Sequence, residues 1–275
     1  MVEDGNSGSF EQMILRRFPS DYGWENEGIV RIGRERDIAA LAVGDFKGRC
    51  LIFCHGNGET AVSEKDLFGE LAQAGVSVIC PDYRGYGQSA GELTEAGCYE
   101  AAHAAYRFLV AERHVAPDDI FVLGYSLGSA IAVELAESEV VGGLILQAPF
   151  LNGRELRREW RHETKVREDE MSFPTSARLP HLHVPVLVIH GQADGVIPFS
   201  QGQEVFRLIA SKDKRFIPVG GAGHCDFQMV LGTKYIPLLH DFVSRECGKV
   251  HSSGPFWKFV KRLCVVWQNC TARIK

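Results

Sequence analysis

The stretch DIFVLGYSLGSAIAVELAES, residues 119–138, changes from an apolar run to a segment with apolar residues at helical spacing. This change predicts a buried strand that leads directly into a helix. Ser126 lies at the junction in a Gly-x-Ser-x-Gly pattern whose outer positions are Gly124 and Gly128. A tight strand-to-helix turn lifts a serine hydroxyl clear of the backbone, and it needs small residues on both sides. The stretch therefore predicts an α/β architecture with a nucleophilic serine at position 126.

A second Gly-x-Ser-x-Gly pattern, GQSAG at 87–91, has no such context. Its serine, Ser89, lies in the glycine-rich run PDYRGYGQSAGEL, in which no helix begins for several residues. A loop serine of this kind usually satisfies nearby backbone groups. We therefore predict a structural role for Ser89 and a catalytic role for Ser126.

Short apolar runs alternate with helix-like segments along most of the chain. The runs are continuously apolar, which favours strands buried on both faces of a parallel sheet. An earlier pair of runs predicts an antiparallel hairpin that leads into it. The pattern predicts a doubly wound, mostly parallel sheet of about eight strands. The predicted strands are 28–33, 37–43, 49–54, 76–80, 119–124, 141–147, 184–190 and 214–219, and the predicted helices are 63–75, 98–114, 126–138 and 200–211.

The composition of the 275 residues excludes several classes of protein. A net charge of -5 argues against a nucleic-acid partner. No apolar run is long enough to span a bilayer, and the first residues lack the pattern of a signal peptide. The eight cysteines are scattered and several lie in apolar runs, which predicts reduced thiols and a cytoplasmic protein.

A nucleophilic serine needs a base and a group that orients the base. In this architecture the acidic residue and the histidine follow the serine in that order, each on a loop after a strand. Asp194 follows the strand VPVLVIH, and His224 follows the strand KRFIPV. Both are expected at the carboxyl ends of the strands, where such sheets place their sites. Asp226 is an alternative partner for His224.

Two backbone N–H groups must also stabilise the oxyanion of the tetrahedral intermediate. One belongs to the residue after the nucleophile, which is Leu127. The other belongs to the loop after an early strand, and LIFCHGNGET supplies such a loop. We predict Asn57 as the second donor, with Gly56 and Gly58 as alternatives.

Other histidines are predicted to be structural. His190 is expected to end a strand and pack in the core, and His55 is expected to brace its turn. The spacing of His181 and His183 would suit metal ligands, but the sequence offers no third ligand. We therefore predict no metal site.

Two segments interrupt the alternation of strands and helices. Within a main domain assigned to 1–246, a charged insertion at 150–180 lies between two predicted strands, where a short lid could cover the site. Leu156 and Trp160 lie one helical turn apart in it, so it is either a solvated helix with two apolar anchors or a partial cover for an acyl pocket.

The segment 247–275 is predicted to be a basic and aromatic C-terminal extension. Within it, 255–275 has basic residues, no acidic residues and an apolar face at helical spacing. Such a segment can lie on an anionic membrane surface, or it can pack on the domain as a terminal helix. We keep both as predictions. The apolar face comprises Phe256, Val260, Leu263 and Trp267.

Together these motifs resemble the α/β-hydrolase superfamily over roughly residues 28–245. The match rests on GYSLG, HGNG, PDYRGYGQSAGE, VPVLVIHGQADGVIPF and GAGHCDF. Within the superfamily the chain is similar to the small-lid branch that contains alpha/beta-hydrolase domain-containing proteins 13 and 17 and bacterial relatives. Members of that branch are serine esterases or thioesterases, and some remove palmitoyl groups from protein cysteines.

The resemblance implies a triad of Ser126, Asp194 and His224, with no cofactor. The eukaryotic depalmitoylases have a cysteine cluster near the N-terminus, which this chain lacks. Their palmitoyl-protein substrate is therefore not carried over. We expect a hydrolase that cleaves esters or thioesters of a small-molecule or acylated substrate. The alternatives are a serine peptidase and a catalytically silent binding module on the same fold.

Overall fold

The computed structural model describes residues 28–153, 156 and 173–244. Eight strands form one sheet in the order β1-β2-β4-β3-β5-β6-β7-β8. β2 pairs antiparallel with β1 and β4, and every other pairing is parallel. This confirms the predicted doubly wound, mostly parallel sheet. The strands are β1 Ile29–Ile32, β2 Ile38–Val43, β3 Cys50–Cys54, β4 Ser77–Pro81, β5 Ile120–Tyr125, β6 Gly143–Gln147, β7 Val186–Gly191 and β8 Lys214–Val219.

Helices connect the parallel strands. The helix between β4 and β5 begins at Glu95, three residues before the predicted start. Thr94 caps it by accepting a hydrogen bond from the N–H of Gly97 at 2.9 Å. The α-helices in the described ranges are α1 Lys65–Gln73, α2 Glu95–Arg107, α3 Leu127–Ser138, α4 Thr175–Arg178, α5 Phe199–Leu208, α6 Phe227–Leu231 and α7 Tyr235–Val243.

The sheet separates two apolar layers, and β3 shows how one strand serves both. Cys50, Ile52 and Cys54 pack into the layer on one side, while Leu51 and Phe53 pack into the layer on the other. All five residues are buried. A strand that is covered on both faces has no reason to alternate polar and apolar residues, which explains the continuous apolar runs in the sequence.

The parallel register brings the carboxyl ends of the central strands to one edge of the sheet. Cys54 at the end of β3 pairs with Gly124 near the end of β5, and Tyr125 pairs with Gln147 at the end of β6. The loops that follow β3, β5, β7 and β8 therefore open on the same edge. These loops carry the residues predicted for the site.

Ser89 holds a loop against the antiparallel strand β2. Its hydroxyl accepts a hydrogen bond from the N–H of Ala39 at 2.9 Å and donates one to the carbonyl of Asp82 at 2.8 Å. The buried carboxylate of Asp82 accepts from the N–H groups of Ala61 at 2.7 Å and Gln88 at 3.0 Å. The second Gly-x-Ser-x-Gly pattern is thus part of a hydrogen-bonded clasp.

Several predictions concern residues outside those described. Trp160, most of the insertion at 150–180 and the segment 247–275 lie there, so the division into domain, lid and extension stays a prediction. Leu156, the first of the two apolar anchors, is buried. Among the described helices, none has the length and apolar character needed to cross a membrane.

Replacing Ser89 by Ala should lower the free energy of unfolding by about 1–3 kcal/mol, because the buried N–H of Ala39 loses its acceptor. Chemical denaturation monitored by circular dichroism measures this change. The matched control is Ser138→Ala, at an exposed position near the end of α3, which should change stability by less than about 0.5 kcal/mol. Equal stabilities for the two variants would contradict a role for Ser89 in the clasp.

Candidate active site

Ser126 occupies a strained turn between β5 and α3. Its φ of 52° and ψ of -117° lie in a region that residues with a side chain rarely adopt. Its N–H donates to the carbonyl of Gln147 at 2.9 Å, which fixes the turn to β6. A Cβ on Gly128 would overlap the carbonyl oxygen of Cys54, so only glycine permits α3 to approach β3 this closely. The local sequence therefore produces the turn that the pattern predicted.

The structure brings Ser126, His224 and Asp194 together in one hydrogen-bonded chain. The Ser126 Oγ lies 2.9 Å from Nε2 of His224, and Nδ1 of His224 lies 2.8 Å from Oδ2 of Asp194. Because a carboxylate only accepts, Nδ1 carries the proton and Nε2 is free to accept one from the serine hydroxyl. Asp226 instead accepts from the N–H of Gly223 at 2.7 Å, so it supports the loop and does not orient the imidazole.

The carboxylate of Asp194 is fully enclosed and well supplied with donors. Its Oδ1 accepts from the N–H groups of Val196 and Ile197, both at 2.8 Å. Burial by itself would raise the pKa of Asp194, but hydrogen bonds from His190 and His224 outweigh it and hold that pKa well below its usual range. The group is therefore a fixed negative charge next to the imidazole.

The side chain of His190 contacts that of Asp194, which the sequence did not predict. Its ring is buried in the core as predicted, and Nε2 donates to the carbonyl of Ile197 at 2.9 Å. The same nitrogen lies 3.4 Å from Oδ2 of Asp194. A Cβ on Gly202 would overlap Nδ1, so α5 packs directly on this ring. The sequence contains one signal for this contact. His190 lies near the end of β7 and Asp194 lies four residues later, in the loop that follows the strand.

The loop after β3 offers backbone donors near the nucleophile. The N–H of Gly56 is already used, because it donates to Oε2 of Glu59 at 2.7 Å. The N–H of Asn57 has no partner among the described residues, and the side chain of Asn57 is held by the hydroxyl of Tyr86 at 2.8 Å. Leu127 is the first residue of α3, so its N–H lacks an acceptor within the helix. Asn57 and Leu127 thus remain the candidate pair, and Gly56 is excluded.

His55 braces this loop, as the sequence suggested. Its imidazole is buried, lies 2.9 Å through Nδ1 from the carbonyl of Gly56, and stacks on Tyr83 with ring centroids 4.1 Å apart. The hydroxyl of Tyr83 donates to the carbonyl of His55 at 2.7 Å. Gly58 follows with a φ of 84°, which bends the chain, and it stays an alternative donor.

Tyr125 supports the histidine loop and was not identified from the sequence. Its hydroxyl donates to the carbonyl of His224 at 3.1 Å, and its ring centroid lies 5.4 Å from that of the imidazole. Tyr125 also directly precedes Ser126. It therefore connects the turn of the nucleophile with the loop that carries His224. Of the five residues of GYSLG, Tyr125 is the one to which the sequence assigned no role.

Metal ligation has no candidate cluster in this region. Across the described ranges, no group of three or more His, Cys, Asp or Glu side chains is arranged to hold a metal ion. His181 and His183 accordingly belong to no such group.

Comparison with known proteins identifies the family of this chain. A family model described as serine aminopeptidase, S33, matches residues 47–168. The alpha/beta hydrolase domain-containing protein aho-3 of Caenorhabditis elegans is 31% identical over 231 residues, which cover 82% of this chain and 68% of that protein. The chain belongs to the α/β-hydrolase superfamily. Human alpha/beta hydrolase domain-containing protein 17B is 30% identical to this hydrolase over 197 residues, which cover 71% of this chain and 66% of that protein.

Solved structures show the same fold. The Pyrococcus furiosus esterase Pf2001 superposes on this α/β hydrolase with a TM-score of 0.67 at 18% identity, covering 80% of this chain and 92% of that chain. At this identity the likeness concerns the fold.

Replacing Asp194 by Asn should lower the free energy of unfolding at neutral pH by about 2 kcal/mol, because charge-assisted hydrogen bonds are lost. The folded pKa of Asp194 lies below its unfolded value of about 3.9, so its contribution is present above that pH and is lost as the pH falls further. The difference between wild type and variant should therefore shrink below about pH 4. Denaturation across this range tests it.

The control for that experiment is Glu70→Gln, at an exposed position on α1, which should leave the stability curve unchanged within about 0.5 kcal/mol. A stability difference for Asp194→Asn that stays constant from neutral to acidic pH would contradict the ionised state assigned to Asp194.

Proposed function

We propose that this protein is a serine hydrolase that cleaves carboxylic ester or thioester bonds through an acyl-enzyme intermediate. The observation that carries the proposal is the pair of contacts at His224, 2.9 Å to the hydroxyl of Ser126 and 2.8 Å to the carboxylate of Asp194. Three residues from separate loops meet in the order and geometry that nucleophilic catalysis by serine requires. The superfamily relationship supports hydrolysis as the class of reaction.

The first half of the reaction forms the acyl-enzyme. Ser126 Oγ attacks the carbonyl carbon while its proton passes to Nε2 of His224, and Asp194 stabilises the resulting imidazolium. The carbonyl oxygen becomes an oxyanion, which accepts hydrogen bonds from the N–H groups of Asn57 and Leu127. The intermediate then collapses, the bond to the leaving group breaks, and His224 transfers its proton to the departing oxygen or sulfur.

The second half uses water as the nucleophile. His224 removes a proton from water, the hydroxide oxygen attacks the acyl carbon, and Ser126 leaves with the proton that His224 returns. The acid product carries the new oxygen atom. Each step uses side chains and backbone groups of this chain, so the proposed reaction requires no metal or organic cofactor.

Amide hydrolysis is the second candidate, because the matching family model is described as a serine aminopeptidase. The leading proposal names esters and thioesters because these have better leaving groups, and because a solved structure with the same fold, Pf2001, is named an esterase. Parallel rates on matched ester, thioester and amide substrates separate the candidates. A silent binding module is disfavoured, because such a protein has no need for the hydrogen-bonded chain through His224.

Replacing Ser126 by Ala should reduce kcat by a factor of about 10⁶, because the nucleophile is lost while the fold is kept. Hydrolysis of p-nitrophenyl butyrate measures the change in kcat. Labelling by a fluorophosphonate probe tests whether Ser126 is the residue that reacts. Ser89→Ala, from the other Gly-x-Ser-x-Gly pattern, is the matched control and should still be labelled. Labelling that persists in Ser126→Ala would rule out Ser126 as the nucleophile.

A further inference from the structure

The carboxylate of Asp194 faces N–H groups at both of its oxygens. Oδ1 accepts from the backbone N–H groups of Val196 and Ile197, both at 2.8 Å. Oδ2 lies 2.8 Å from Nδ1 of His224 and 3.4 Å from Nε2 of His190. A carboxylate has about four lone-pair sites, so these contacts occupy its capacity as an acceptor. Two imidazoles therefore share the oxygen that orients the base.

His190 differs from the other donors because it belongs to a strand, whereas the others lie in loops. It lies near the end of β7, where its backbone pairs in register with Pro218 of β8. Its side chain is buried, and Phe199 packs edge-on against the ring. A Cβ on Gly202 of α5 would overlap Nδ1, so the helix holds the ring from that side. His190 thus connects the carboxylate of Asp194 to the sheet itself.

The contacts of the ring determine where its proton lies. Nε2 is 2.9 Å from the carbonyl oxygen of Ile197 and 3.4 Å from Oδ2 of Asp194, and both of these oxygens can only accept. Nε2 therefore carries a proton and donates it. Nδ1 is buried and has no hydrogen-bond partner among the described residues. One N–H of His190 is thus shared between the backbone of the loop and the carboxylate.

This shared N–H acts on a group that must keep one orientation. Burial would raise the pKa of Asp194, and hydrogen bonds from His190 and His224 lower it. In the proposed reaction His224 takes and returns a proton in both halves, and Asp194 has to face it throughout. A donor on a buried ring limits the rotation of the carboxylate at little entropic cost, because that ring is already ordered.

We propose that His190 is a positioning residue, whose Nε2–H holds Oδ2 of Asp194 in line with Nδ1 of His224. The proposal rests on the proposed function and adds a fourth side chain to the alignment. His190 acts through Asp194 and takes no part in proton transfer. A histidine with a purely structural role would need only its hydrogen bond to the carbonyl of Ile197.

The test compares two variants whose new side chains have the same length. Gln places an amide N–H as many bonds from the backbone as Nε2 of histidine, whereas Met places a methyl group there. His190→Met should lower kcat for p-nitrophenyl butyrate by about tenfold with KM within about twofold, because a donor to a charged group is lost. His190→Gln should keep kcat within about threefold of wild type, because it restores a donor.

Val188→Ala controls for loss of packing in the same strand. Val188 is buried and lies on the same face of β7, two residues before His190. This variant should lower the stability and keep kcat within about twofold of wild type. A His190→Met enzyme whose kcat stays within about threefold of wild type would overturn the proposal, as would equal losses in the Met and Gln variants.

Proton NMR reports the alignment without any turnover. The proton between Nδ1 of His224 and Asp194 should give a resonance downfield of the amide region, identified by its loss in His224→Gln. It should move in His190→Met, because Oδ2 then faces one imidazole and not two, and it should keep its position in His190→Gln. An identical position in wild type and His190→Met would contradict the role of His190.

Nitrogen NMR of the wild-type protein provides a test that needs no variant. The ring nitrogen shifts of His190 should show the proton on Nε2. A proton on Nδ1 would overturn the proposal, since Nε2 could then only accept. Neither NMR measurement depends on hydrolysis. Absence of Ser126-dependent hydrolysis would therefore refute the proposed function, whereas the NMR results would refute the role of His190, and the two failures are distinguishable.

Discussion

The site depends on the close approach of α3 to the end of β3. Gly128 lies against the carbonyl of Cys54, in a space that no side chain could share. This contact forces the left-handed backbone at Ser126 and brings the first N–H of α3 towards the loop of Asn57. A strained residue persists only where its surroundings determine its conformation, and here the buried strands on both sides do so. Nucleophile and candidate oxyanion donors are thus placed by one steric constraint.

The sequence predicted the sheet and the aligned residues because their signals are local. Each buried strand is a continuous apolar run, and the elbow at Ser126 is defined by five consecutive residues. Asp194 and His224 could be chosen because chain order and position after a strand are both visible without coordinates. Ser89 could be set aside for the same reason, since no helix begins directly after it.

Contacts between distant side chains could not be predicted in this way. The hydrogen bond from Gly56 to Glu59, the contact of His190 with Asp194 and the support of His224 by Tyr125 depend on register and on side-chain direction. The start of α2 is a different case, because its capping residue, Thr94, is a local signal that the sequence contains. The sequence therefore predicted the candidate reacting residues better than the contacts that hold them in place.

The position of β8 determines how firmly the loop of His224 is held. β8 is the outermost strand at its end of the described sheet and carries the loop of His224, whereas Ser126 follows the central strand β5. Edge strands have a neighbour on one side only, so they open at lower free energy than central ones. Local opening at this margin would separate His224 from Ser126 while the central strands stay paired. The alignment of the three residues therefore depends on the stability of an edge strand, and not only on that of the central sheet.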